Sequence, residues 1–208
     1  MAGFRMHSSV VALLLCSIAA LGLVACSTRT AGLRYESAPE TKLASKGAAI
    51  SVGNFIDQRG DTPTSLGVIR AKFGYPVKIL EGDQPAAELV KTGFTDGLKA
   101  RGYRVSPDAP VMLSGTVLRL DADQYVRREA NVEVVVRLSH SDDTTTVFEH
   151  TYTANRVEGS FFSLRKGMFG SIEDLRSLLQ KTLVEVIDKA LDDPQFRTAL
   201  NRKRGRRK

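Results

Sequence analysis

VEVVVRL, residues 132–138, alternates with a period of two: Val132, Val134, Val136 and Leu138 fall on one face, Glu133 and Arg137 on the other. A strand of this kind buries one side of a sheet and leaves the other in water. On either side lie two further strand-like runs, VMLSGTVLRL (111–120) and VFEHTYTANRV (147–157), joined to it by short polar segments. Three such runs in succession predict an antiparallel meander.

Helices flank the meander in the chain. Ser171, with Asp174 three residues on, resembles a capping box and opens a helix whose Leu175, Leu178, Leu179, Leu183, Val186 and Ile187 form a wide apolar stripe, ended by Asp193 and Pro194. Upstream, Asp83 or Gln84 caps a helix with Pro85 in its first turn; Ala87, Val90, Phe94 and Leu98 make its stripe, and Gly102 is the natural left-handed stop. Tyr103–Ser106 then returns as a strand. Earlier still, AAISVGNFID (48–57) and YPVKIL (75–80) read as strands, separated by a glycine-punctuated loop from Asp57 to Gly74. The order predicts an α+β domain: a mainly antiparallel sheet with two helices packed on one face.

The expected organisation is a signal peptide over 1–25, a flexible tether over 26–47, the globular domain over 48–196 and a basic tail over 197–208. Arg5 and His7 precede an apolar stretch from Val10 to Val24 that would rise roughly 22 Å as a helix, short of the ~30 Å hydrocarbon core of a bilayer. It closes on Leu23, Val24, Ala25 and Cys26, and this LVAC is similar to the lipobox of bacterial lipoproteins. That similarity implies cleavage after Ala25 by signal peptidase II and diacylglycerol on Cys26; the alternative is an uncleaved signal anchor or a buried N-terminal helix. Cys16 lies in the leader, so after cleavage Cys26 has no partner for a disulfide. Several acyl chains on one residue give stable anchoring. Ser27, where an aspartate would favour the inner membrane in enterobacteria, is similar to outer-membrane sorting.

The formal charge of +7 resides at the two ends. Arg202, Lys203, Arg204, Arg206, Arg207 and Lys208 crowd the last seven positions and Arg5 lies in the leader, so residues 26–201 are formally neutral. The tail suits an anionic lipid or lipopolysaccharide surface, or simple solubility. Nucleic acid is not an expected partner, because no aromatic platform is interleaved with these charges.

No catalytic constellation is expected. Phosphate loops, nucleophile elbows and zinc spacings are missing from the sequence, and Cys26 is committed to lipid. No metal or other cofactor is expected, although His140 and His150 could converge across a hairpin; a solvated hairpin is the favoured reading. Asp121 and Asp123 at a strand end fit turn chemistry as well as acid–base work. Two further features suit recognition. Asp57, Arg59 and Arg70 lie in the 57–74 loop, either as recognition residues or as residues that fix the turn. Phe161, Phe162 and Phe169 surround Arg165 and Lys166, a mixture suited to a membrane or partner contact, or to a connector folded over the core.

Taken together, the lipobox, the strand entering DQRGD, the following LGVIRAKFG and the helix ending LKARGYRV resemble the YajG-like family of bacterial envelope lipoproteins over residues 33–190. The resemblance implies a periplasm-facing α+β domain without known catalytic residues. The expected function is a non-enzymatic binding or envelope-assembly module with an envelope protein or anionic lipid as partner; the alternative is an accessory lipoprotein of a lipid or glycolipid ABC transport system.

Overall fold

The computed structural model describes residues 27–36, 48–141, 145–159 and 171–201. Its strands are β1 (Ser27–Ala31), β2 (Ala49–Asp57), β3 (Ser65–Arg70), β4 (Pro76–Gly82), β5 (Arg104–Val105), β6 (Val111–Gln124), β7 (Arg128–His140) and β8 (Thr146–Glu158). Helix α1 spans Ala86–Ala100, α2 Ile172–Asp192 and α3 Pro194–Asn201.

The meander exists as expected: β6 pairs antiparallel with β7 and β7 with β8 along nearly their whole lengths. Val132, Val134, Val136 and Leu138 are buried, and the helices cover that face. On the other edge of β6 the expectation of a mainly antiparallel sheet needs correction. Two strands share that edge end to end, both parallel to β6: β2 opposite residues 112–117 and β3 opposite 122–124. β5 pairs beside β2 and β1 beside β4, also in parallel, so the eight-stranded sheet is mixed. The cause is a double reversal: β4 turns back antiparallel on β3, and α1 reverses the chain again before β5, so that β6 runs in the direction of β2 and β3.

Glycines permit several of these close approaches. A Cβ on Gly67 of β3 would lie 2.3 Å from the Ala122 carbonyl oxygen of β6. In the sequence Gly67 reads as loop punctuation, which is why β3 falls inside the stretch expected to be a loop. Gly93 and Gly97 of α1 face Ile187 of α2, where an added Cβ would come to 2.8 Å at each position. The two helices therefore cross with almost no side chain between them on the α1 side. Beyond α1, Gly102 takes φ +83°, the Tyr103 N–H donates to the Leu98 carbonyl at 3.1 Å and the Gly102 N–H to that of Lys99 at 2.9 Å. This is the left-handed stop that the glycine predicts.

The helix starts differ from expectation. Pro85, not Asp83 or Gln84, is the N-cap of α1, and the Ala86 N–H is satisfied by the Pro63 carbonyl at 2.8 Å. Ser171 is the N-cap of α2 without a side-chain cap bond, and Asp174 pairs instead with Arg128 at 2.8 Å. At the other end, Asp193 and Pro194 end α2 but α3 follows at once. Its Phe196 and Leu200 are buried, with Phe196 edge-on to Phe148 at 5.8 Å between ring centroids. The core thus reaches into the residues expected to begin the tail. It also takes in part of the expected tether: residues 27–31 form β1, and Leu33 just beyond it is buried.

Candidate functional site

Where β2 gives way to β3 along β6, a stretch of the β6 edge has no strand beside it. The chain fills it with a side chain. The Gln58 N–H donates to the Val117 carbonyl at 2.9 Å, and the Arg59 guanidinium reaches across to the Leu120 carbonyl at 3.1 Å and the Ser65 carbonyl at 2.6 Å. Its remaining N–H groups go to the Asp57 carboxylate, twice at 2.9 Å, and to the Thr62 and Pro63 carbonyls. The Arg59 side chain is 3% exposed. Burial pushes the Asp57 carboxyl up, but the Arg59 guanidinium and backbone N–H more than offset this and hold it below its ordinary value. With every donor engaged inside the fold, Asp57 and Arg59 fix the turn and join the two parallel strands.

Outside this seam runs an open groove of about 590 Å³, lined by β3, β4 and the C-terminal half of β6. Arg70 and Asp123 face each other in it at 2.7 Å, each about two-fifths exposed, and Arg119 pairs with Asp121 at 3.3 Å. Asp121 also accepts from the Asn131 side chain at 3.2 Å. The groove therefore presents two matched charge pairs, with the Asp61 carboxylate also on its wall, an arrangement suited to polar contacts. Of the residues singled out from sequence, Arg70, Asp121 and Asp123 meet here, while Arg59 lies beneath. His140 and His150 do not converge: His150 pairs with Val136, four residues along β7 from His140, a separation of about 13 Å at 3.3 Å per residue. Among the described residues no group of three or more histidine, cysteine or acidic side chains is placed to hold a metal ion.

A second polar cluster, absent from the sequence reading, lies at the other end of α1. Arg101, 1% exposed, donates to Asp188 at 2.8 Å, to Asp192 at 2.9 Å and to the Tyr35 hydroxyl at 2.8 Å. Tyr35 in turn donates to Asp188 at 2.8 Å. Burial opposes charge on Arg101, but the two carboxylates outweigh it and raise its affinity for the proton further; burial and the Asp188 contact raise the Tyr35 hydroxyl. This latch fastens α1, α2 and the segment after β1. The i, i+4 spacing of Asp188 and Asp192 was the only trace of it in the sequence.

Exposed apolar side chains gather at one end of the sheet: Phe73 and Tyr75 in the β3–β4 turn, Tyr125 and Val126 in the β6–β7 turn, and Val157 near the end of β8. The expected contacts Phe161, Phe162, Arg165, Lys166 and Phe169 lie outside the described residues. So do Leu23, Val24, Ala25 and Cys26 and the basic positions Arg202, Lys203, Arg204, Arg206, Arg207 and Lys208. No helix among the described residues is long and apolar enough to cross a membrane.

Fold and site together define a class: a one-sheet α/β domain with helices on one face, held by internal ion pairs. Residues 37–201 match the model of the Lipoprotein_16 family, described as uncharacterized lipoprotein, and the chain belongs to that family, as its YajG-like resemblance implied. Among solved structures, protein XCC0632 from Xanthomonas campestris is similar in fold, with a TM-score of 0.59 and 16% identity over 82% of this chain and 96% of its own. The PelC dodecamer from Paraburkholderia phytofirmans matches with a TM-score of 0.41 and 16% identity, over 71% of this chain and 92% of its own. Lipoprotein GNA1162 from Neisseria meningitidis matches at 0.34 and 16%, over 69% and 99%. No curated protein matches the chain.

Proposed function

We propose that the chain is a cell-envelope lipoprotein, held through acyl chains on Cys26 with its domain in the periplasm, and that it works as a non-enzymatic binding or assembly module at the outer membrane. The observation that carries this reading is the conjunction of an LVAC motif closing an apolar leader with membership of a lipoprotein family over residues 37–201. The groove supports the second half: four of its charged side chains form two ion pairs, Arg70 with Asp123 and Arg119 with Asp121, a lining that suits contact more than chemistry. Replacing Cys26 with Ala is expected to move the protein from the membrane to the soluble fraction and to abolish incorporation of labelled palmitate. Persistent labelling of the variant contradicts the anchor. Density-gradient separation of the two membranes tests the sorting, with the wild-type protein expected in the outer-membrane band.

A further inference from the structure

We propose that the domain sits directly on the bilayer, with the β3–β4 and β6–β7 turns pressed into the lipid headgroup layer. The inference rests on the lipid anchor proposed above and adds an orientation to it. Its starting point is strand register. β1 runs parallel to β4 with Ser27 opposite Lys78, and β4 begins at Pro76. The chain therefore enters the sheet at the end where β4 starts. Cys26 is bonded to Ser27, one Cα–Cα step of about 3.8 Å away, so no tether separates the acylated residue from the fold.

The same end carries the exposed apolar side chains. β3 and β6 are parallel, with Ile69 opposite Gln124, so the turn after β3 and the turn after β6 leave the sheet side by side. The first presents Phe73 and Tyr75, 78% and 69% exposed, and the second presents Tyr125 and Val126 at 49% and 36%. Val157, opposite Glu129, is at this end too. Among the described residues the sixth exposed large apolar side chain, Ile56, is the sole one elsewhere. Phe73 holds φ 67°, a backbone conformation that bulky residues rarely adopt. Aromatic rings with an apolar body and a polar rim are the side chains that favour the membrane–water interface.

The occupant is lipid because the anchor would bring a bilayer to this end of the sheet and to no other. Aromatic seating supplies most of the contact, since the arginines at this end are matched by acids: Arg70 is paired with Asp123, Arg127 with Glu129 and Arg128 with Asp174. The contact is accordingly expected in neutral as well as anionic vesicles.

The chain contains no tryptophan, so a single introduced one reports its own surroundings. In the full acylated protein, reconstituted into phosphatidylcholine vesicles with bromine on the upper part of the acyl chains, Tyr125→Trp is expected to shift its emission to shorter wavelength and to lose about half its intensity to bromine. Asp108→Trp, at the other end of β6 and roughly 40 Å away at 3.3 Å per residue, should emit as in water. Phe73→Trp, at a still more exposed position, repeats the reading should Tyr125→Trp disturb the fold. Flotation of the vesicles checks the anchor separately: protein that fails to float sinks the lipoprotein reading. Protein that floats with both turn reporters still in water overturns the docked orientation, as does shielding of the turns in cell envelopes but not in pure vesicles, which would assign them to a protein partner.

Discussion

Arg59 and Arg101 are the two arginines whose burial decides something, and they act differently. Arg59 supplies donors to β6 where no strand can, so a lysine, with a point charge in place of a planar fork, cannot satisfy the Leu120, Ser65 and Asp57 acceptors together. Arg59→Lys is expected to lower stability by about 2 kcal/mol in denaturant titration. Arg70→Ala, which breaks a pair about two-fifths exposed on both sides, should cost less than about 1 kcal/mol. Arg101→Met leaves Asp188 and Asp192 facing each other without their common cation and is expected to cost about 3 kcal/mol by the same titration. At this scale the sequence was half legible. Asp57 and Arg59 stand out because charge follows directly on a strand, but their sharing of carbonyls with β6 depends on pairing across some 60 residues. Arg101 looks like any cation near a helix C-terminus, and its partners lie 87 and 91 residues away.

Elements in this fold are shaped by what they approach as much as by their own patterns. Gly115 of β6 is a case: a Cβ there would come within 2.5 Å of both the Phe55 ring and the Val135 carbonyl oxygen. Phe55 lies over this glycine to stack on Phe94 of α1, ring centroids 5.4 Å apart. Gly115→Ala is therefore expected to destabilise by about 2 kcal/mol, with loss of the tight β2–α1 contact, measured by thermal unfolding. The period-two and helical patterns located β2, β4, the meander and the two long helices, since each buries one continuous face. They could not locate β3, whose six residues include Gly67, nor decide that β2 and β3 would lie parallel to β6. Parallel pairing is settled by the direction in which α1 returns the chain, which no local pattern encodes. α3 was missed because the proline that ends α2 also begins the next helix, a position that suits it.

Across the whole molecule, acid should be the condition that loosens the fold. Burial works against ionisation of Asp57, Asp192, Asp193 and Glu185, yet arginine, lysine, tyrosine and backbone donors overcome it and hold all four carboxyls below their ordinary values. Carboxyls depressed in the folded state contribute their stability above the unfolded values near 4 and lose it as pH falls through the folded ones. The melting temperature is thus expected to be level from about pH 7 to 5 and to drop below about pH 4, by scanning calorimetry. Arg59→Lys should flatten the Asp57 share of that drop. The sequence disclosed the neutral body and the segregated charge, but which carboxylates are bound into the fold is a property of the tertiary arrangement alone. The register of β1 on β4 has one more consequence, a mechanical one. If Cys26 carries the anchor, tension on it enters β1 lengthwise from its first residue, and the rungs from Ser27 to Ala31 share that load in shear rather than parting one after another from an end. Pulling single molecules through the N-terminus should then require a higher rupture force than pulling β1 away through an attachment at its far end.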